Sequence, residues 1–438
     1  MDVLMIRKLA SGLVAALSLF ATPALAASSL DALAEAYVKL SLRIGEHEDG
    51  YIDAYYGPAE WQAAAKGDRT PLPGLQAEAA ALKARLVAAQ SAAEASAGGV
   101  DPLEARRADF LFGQLTAAET RLRMMQGETL AFEDEAEGLF GYRPVLKPLS
   151  AYDPLLADVE ALVPGEGPLW QRVDAFNDRF VIPADRLRAV MDAAIAECRR
   201  RTIARIPLPA DERFTLEFVT GKSWSGYNWY KGDANSLIQV NTDLPVRLSR
   251  AVDLGCHEGY PGHHAYNVLL EQHLSKGKGW VEFTVYPLYS PQSFLAEGSA
   301  NYGIDLAFPG DERRTFEIEV LYPLAGLDPA DAGRYLALLE ATQKLSGARF
   351  TIASEYLSGR IDRETAITLT QTYGLVSRKR AEQTVRFSEQ YRSYVINYGL
   401  GQDAVRAHVE RAGPGQAERW ARMRALLSEP TTPADLKK

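Results

Sequence analysis

The sequence predicts a mainly α-helical protein with a small β-sheet near its middle. Long runs of helix-forming residues, above all the Ala-rich Leu75 to Ala97, contain neither glycine nor proline. Against them stand only two short β-rich runs, Phe214 to Thr220 and Ser236 to Asn241. A hydrophobic fraction of 47% is ample for two lobes of ordinary size or one large helical domain.

Taken in order, Arg7 and Lys8 precede an apolar run, Leu9 to Phe20, and the small-residue site Ala24-Leu25-Ala26. That is the pattern of a secretory leader over residues 1–26, cleaved near Ala26. No other stretch approaches the roughly 20 apolar residues of a membrane span. The expectation is an exported chain, periplasmic or secreted, with no membrane anchor once the leader is removed. Residues 27–210 then form a helical region. Apolar spacing predicts helices over Leu30–Ile44, Leu75–Ala97, Leu103–Met125, Leu155–Leu162, Leu169–Phe180 and Ala184–Ile206, with Pro164, Pro183, Pro207 and Pro209 at the joints. A turn-rich aromatic segment, Asp49 to Pro58, interrupts them.

A second region, 211–429, carries the chemistry. Its two short strands flank a Gly-, Trp- and Tyr-rich segment, Gly221 to Asp233, read as a loop. Thr242 or Asp243 can cap a helix with Pro245 in its first turn, turning Leu248 and Val252 inward and delivering His257 and Glu258. Another helix starts at Pro291 after Ser290. Further helices follow over 311–321, 330–343, 347–357, 362–372, 377–398, 403–412 and 416–427. The tail, 430–438, is expected to fray.

A formal charge of −9 argues against nucleic acid and against an anionic membrane surface. Of two cysteines, Cys198 and Cys256, the sequence permits either a disulfide or two buried thiols.

Three of the six histidines fall in the stretch Cys256-His257-Glu258-Gly259-Tyr260-Pro261-Gly262-His263-His264. A Glu directly after a His is the arrangement of helical zinc sites, where the Glu takes the proton of the attacking water. The second His normally follows four residues after the first, but that place is Pro261. In an unbroken helix His264 would lie roughly 10 Å further along the axis, and His263 would point about 120° away. Neither would reach the ion of His257. Pro261, however, cannot donate to the carbonyl of His257 and its ring clashes with that turn. Gly262 tolerates unusual backbone angles. Looping out residues between Gly259 and Gly262 returns His263 to the position of the second ligand. His257 and His263 are therefore the expected ligands, with Glu258 as general base. His264 is the alternative ligand or a hydrogen-bond donor to the transition state.

Zinc in a hydrolytic site takes three protein ligands. Glu297 supplies the third, since it stands among Phe294, Leu295, Ala296, Gly298, Ser299 and Ala300, and a carboxylate buried there needs a cation. The small residues let that helix approach closely.

These residues, with Asn241-Thr242, Glu297-Gly298 and Tyr55-Tyr56-Gly57-Pro58, resemble the bacterial DUF885 family. The resemblance runs patchily from about Leu33 to Arg411. That family is grouped with zinc-dependent metallopeptidases of the gluzincin type, which implies a large helical metallopeptidase-like fold with a deep cleft and a small sheet near the active site. Asn397 to Gly401 is similar to the family's Tyr-x-x-Gly pattern. The Pro-Gly-Gln usual before it is replaced by Arg392-Ser393-Tyr394, and Gly298-Ser299 stands where Gly-Trp is common. The resemblance implies that Tyr398 stabilises an oxyanion, or else packs as a helix-end aromatic. It implies that Arg386 and Arg392 hold a substrate carboxylate unless they serve solvated ion pairs. It gives Asn241, at the end of an edge strand, a role in binding peptide backbone. Tyr227, Trp229 and Tyr230 would line the cleft.

No phosphate loop or nucleophile elbow is present: Leu216 stands where a Gly-x-x-x-x-Gly-Lys-Ser string needs its first glycine. His47, His273 and His408 are expected on the surface. The expected function is a Zn2+-dependent hydrolysis of peptides or small proteins. The alternatives are a non-catalytic peptide-binding protein on the same fold, or a zinc amidase acting on a cell-wall amide.

Overall fold

The computed structural model describes residues 23–95, 101–222 and 224–438. The expected leader lies largely outside them, although the first helix already begins at Pro23. Among the described residues no helix is long and apolar enough to cross a membrane.

Three helices, α1 (Pro23–Gly45), α2 (Leu72–Glu94) and α3 (Pro102–Met125), pack on one another at the N-terminal end. Between the first two, β1 (Ile52–Tyr55) pairs antiparallel with β5 (Val285–Pro287), tying this bundle to the second half of the chain. Helix α4 (Leu187–Ile203) leads to a three-stranded sheet of β2 (Arg213–Val219), β3 (Gly226–Gly232) and β4 (Asn235–Asn241). The strand order is β2-β4-β3, with β2 parallel and β3 antiparallel to β4.

Two sequence expectations change here. The Gly- and aromatic-rich segment contains a strand, because Asn228 and Tyr230 alternate inward with Tyr227 and Trp229 outward, the pleat period. As a result the Ser236–Asn241 run is the central strand, not an edge. Its backbone is committed on both sides, so it offers nothing to a peptide. Asn241 is likewise engaged, its amide donating to the carbonyls of Lys222 and Trp224, both at 2.9 Å. The next helix is not capped by Thr242 or Asp243. The Asp243 carboxylate instead accepts from the Gly221 N–H at 2.7 Å, and helix begins only at Ser249.

A π-helical turn, Gly255–Gly259, follows, then a break at Tyr260 to Gly262, then α5 (His263–Leu270). Cys198 of α4 and Cys256 of the π turn form a disulfide, so the alternative of buried thiols falls away. Helix α6 (Pro291–Ala307) is buried on nearly every side; only Asn301 and Asp305 are not. Helices α7 (Gly347–Leu357), α8 (Arg363–Gly374) and α9 (Arg378–Tyr391) enclose a small core of their own around Ile352, Ile367 and Val385. Helices α10 (Ile396–Glu410) and α11 (Gln416–Ser428) complete the fold. One principal core extends from Leu30 to Leu436.

The helix expected over 377–398 is interrupted. Arg392 takes a positive φ of 51°, and its guanidinium donates to the buried Glu135 carboxylate at 2.7 Å. The C-terminal tail does not fray: Leu436 is 3% exposed, and Arg411 donates to its carbonyl at 2.6 Å. His408 is buried as well, contrary to its expected surface position.

Helix α6 packs closely on α10. A Cβ added at Gly298 would stand 2.5 Å from the Gly401 backbone carbonyl. The small residues thus bring α6 against α10, setting Glu297 beside the residues around Tyr398. Gly298→Ala gains about 1 kcal/mol of helix propensity, but overpacking against unyielding backbone costs about 1–3 kcal/mol. We expect a net loss of stability in urea unfolding.

Candidate metal centre

The break at Tyr260–Gly262 does what the stereochemistry of Pro261 predicts. A Cβ on Gly262 would meet the His257 carbonyl oxygen at 1.8 Å, so only glycine lets the chain fold this tightly over the π turn. The Gly262 N–H donates to the Cys256 carbonyl at 3.1 Å, and His263 opens the new helix. Single π turns of this kind recur at functional sites.

His257 and His263 consequently face each other, their Nε2 atoms 3.1 Å apart. Glu297 Oε2 lies 3.1 Å from His257 Nε2 and 3.7 Å from His263 Nε2. One ligand atom from each of the three residues falls within 4.8 Å of the others. A tetrahedral zinc with bonds of about 2.0–2.1 Å separates its ligand atoms by about 3.3 Å, so these spacings fit such an ion. Glu297 Oε2 is also buried without a hydrogen-bond partner, as is expected of an atom that would bind a cation.

The surrounding residues hold the ligands in place. Asn301, one turn after Glu297 on α6, lies with Oδ1 2.9 Å from His257 Nδ1. Accepting the Nδ1 proton leaves the Nε2 lone pair free toward the cluster. The Asn301 amide donates to the Tyr398 carbonyl at 2.8 Å. Tyr394 donates its hydroxyl to Glu297 Oε1 at 2.8 Å. Burial depresses the His263 imidazolium, but the facing Glu297 carboxylate outweighs it and raises its pKa to about 9. Burial alone would raise Glu297, and the two histidines pull it well below the carboxylate range instead.

Glu258 lines the same cleft, buried, with Oε2 unpartnered. Burial raises its pKa, against the opposing pull of His257 and His263. Tyr398 lies beside the site, its ring near-parallel to that of His257 with centroids 6.3 Å apart. It sits in the first turn of α10, where it also packs against the core. Tyr227 and Trp229 line the cleft, and Tyr227 donates to Asp53 on β1. Tyr230 does not line it: it is buried, with its hydroxyl on Glu271. The cleft encloses about 1010 Å³.

Besides Asn241 and Tyr230, three expected site residues are elsewhere. His264, one helical step past His263, points back at the sheet. It is fully buried, with Nδ1 2.8 Å from Ser236 Oγ and Nε2 2.9 Å from Glu212 Oε2. Both nitrogens are committed, so it is neither ligand nor donor to the cleft. Arg392 is held by Glu135, outside the cleft lining. Arg386 is exposed and outside the lining too.

Sequence reasoning missed Asn301, Tyr394, Asp53 and Arg349 as cleft or supporting residues. Asn301 could have been found, since four residues after Glu297 is the same helix face. Tyr394 is separated from α9 by the unforeseen break at Arg392. Nothing along the chain connects Asp53 or Arg349 to this site.

No protein-family model matches the chain, the DUF885 family included, and no curated protein matches it. Solved structures similar in fold include a provisionally named lipoprotein from Colwellia psychrerythraea, at 14% identity and a TM-score of 0.48 over 84% of this chain and 72% of that one. An M32 carboxypeptidase from Deinococcus radiodurans R1 gives 14% identity and 0.46 over 93% of each chain. A provisionally named lipoprotein of unknown function from Shewanella oneidensis gives 14% and 0.44 over 84% and 76%. Function therefore rests on the geometry of the His257, His263 and Glu297 cluster.

Beside that cluster, burial would raise Glu212, but hydrogen bonds from His264, Tyr260 and Arg199 bring it down to about 2. A depressed carboxylate stabilises the fold above its unfolded value and loses that contribution as pH falls through the folded one. Glu212→Gln should cost roughly 3 kcal/mol at neutral pH by breaking a buried network. The gap from wild type should narrow below pH 4.5 and close toward pH 2, as followed by urea unfolding across pH.

Proposed function

We propose that the protein is an exported zinc-dependent peptidase. The observation that carries this reading is the convergence of His257, His263 and a buried, unpartnered Glu297 oxygen beside a second carboxylate, Glu258, whose Oε2 is likewise buried with no partner among the described residues. A structural metal site has no use for the second carboxylate. A zinc ion held by His257, His263 and Glu297 supplies Lewis acidity toward water and the substrate carbonyl.

The remaining chemistry belongs to the chain. Glu258, held in the π turn, takes the proton from the attacking water and passes it to the leaving amine. Its raised pKa favours both halves of that exchange. Tyr398, on the cleft wall, donates its hydroxyl to the developing oxyanion. Asn301 and Tyr394 keep His257 and Glu297 oriented. Tyr227 and Trp229 present aromatic surface to the substrate. The disulfide agrees with export, because such bonds persist in oxidising compartments.

Glu258→Gln should retain stoichiometric zinc by elemental analysis while turnover of a peptide mixture, read by mass spectrometry, falls roughly 10²- to 10⁴-fold. Hydrolysis at the wild-type rate in that variant would remove Glu258 from the mechanism. His257→Ala should lose both zinc and activity. Wild-type protein purified without zinc would favour the peptide-binding alternative. Cleavage confined to muropeptides in the same assay would favour the cell-wall amidase. Chelation of the metal should also lower the melting temperature, since a ligand bound only by the folded state stabilises it.

A further inference from the structure

Three arginines line the cleft: Arg250, Arg313 and Arg349. Arg250 pairs with Asp253 at 3.4 Å and also donates to Ser225. Arg313 is neutralised by Asp253 at 2.9 Å and Glu317 at 2.8 Å. Arg349, on the first turn of α7, differs from both. No carboxylate pairs with it among the described residues, and its Nε is buried without a hydrogen-bond partner. Its guanidinium lies 5.2 Å from the Phe387 ring centroid and 6.0 Å from that of Tyr398. The two rings partly compensate the charge by cation–π attraction, but they leave the Nε–H donor of the fork without an acceptor.

Burying an arginine without an anion is costly. Burial pulls its pKa below the usual range, and the nearby Tyr398 offsets this only in part. A charge held this way in a cleft wall is matched by a ligand that brings the missing carboxylate. Its position sets the ligand's size. The guanidinium is 6.0 Å from the Tyr398 ring, which is itself 6.3 Å from the His257 ring. Extended peptide advances about 3.3–3.6 Å per residue, so the fork stands within about four residues of the His257 cluster.

We propose that Arg349 is a specificity residue that binds the C-terminal carboxylate of a peptide whose scissile bond lies within about four residues of that end. The assignment rests on the peptidase reading for its substrate class. It also reassigns to Arg349 the carboxylate role expected of Arg386 and Arg392.

The test uses the Glu258→Gln protein loaded with zinc, so that the peptide stays intact, and isothermal titration with three N-acetylated alanine peptides. One is the free acid, the second its C-terminal amide, the third an amide with Glu as its last residue. The free acid should bind roughly 10- to 100-fold more tightly than the plain amide, the scale of a charge-assisted bidentate contact. Adding Arg349→Met should abolish that preference, and Arg349→Lys should restore it in part. Equal binding of acid and amide overturns the proposal. If the Glu-bearing amide matches the free acid, the site takes a side-chain carboxylate and the terminal assignment fails. Arg349→Met should melt no lower than its parent, because it removes an uncompensated buried charge; a loss of several degrees would make Arg349 structural and overturn the proposal. A carboxylate preference in binding, without hydrolysis of any peptide by the wild-type protein, would sink the peptidase reading and leave the Arg349 site standing.

Discussion

The site depends on how closely Gly262 packs over the carbonyl of His257. No side chain fits between them, and Pro261 removes the hydrogen bond that would have continued the helix. The chain therefore reverses in three residues and restarts as α5. Six positions that would have spread two histidines around a helix instead bring their Nε2 atoms to 3.1 Å. The disulfide from Cys256 to α4 fixes one side of this turn, and the Glu212 network through Tyr260 and His264 fixes the other. His264 thus contributes by anchoring the restarted helix to the sheet rather than by touching a ligand.

A second constraint brings in Glu297. Helix α6 runs through the interior with almost no exposed face, which is affordable only because its polar groups find partners there. Asn301 bridges His257 to the Tyr398 carbonyl, and Tyr394 holds one Glu297 oxygen. The remaining oxygen faces the two histidines. The Gly298–Gly401 approach sets the distance between α6 and α10, so packing and site geometry are coupled through backbone contact. A methyl group there would shift a ligand and a cleft residue together.

Charge in the cleft follows a pattern that burial explains. Most of its ionic groups are neutralised locally: Arg313 by Asp253 and Glu317, Asp305 by Arg406. Glu258 and Glu297 at the centre and Arg349 on the wall each keep a buried atom with no hydrogen-bond partner. Unpartnered buried polar atoms are rare in folded proteins, and the charged ones that share this cleft sit where external groups can complete the electrostatics.

Features that depend on neighbours along the chain were legible in the sequence. Helix runs, the central helix starting at Pro291, and the break after His257 all follow from propensity, capping and the stereochemistry of Pro261 and Gly262. Glu297 followed from a chemical argument, since a carboxylate among apolar and small residues must be paired. What only the tertiary structure decided involves partners far apart in sequence. β4 became central because the aromatic segment before it could pair as well. Arg392 turned to Glu135, 257 positions away, instead of to a substrate. His264 turned to Glu212, and among the described residues the cleft arginine without a paired carboxylate is Arg349, while Arg386 lies outside the lining. One-dimensional pattern encodes which backbone hydrogen bonds can form locally. It does not encode which buried charge meets which acceptor, because that choice is made by packing between segments brought together only by folding.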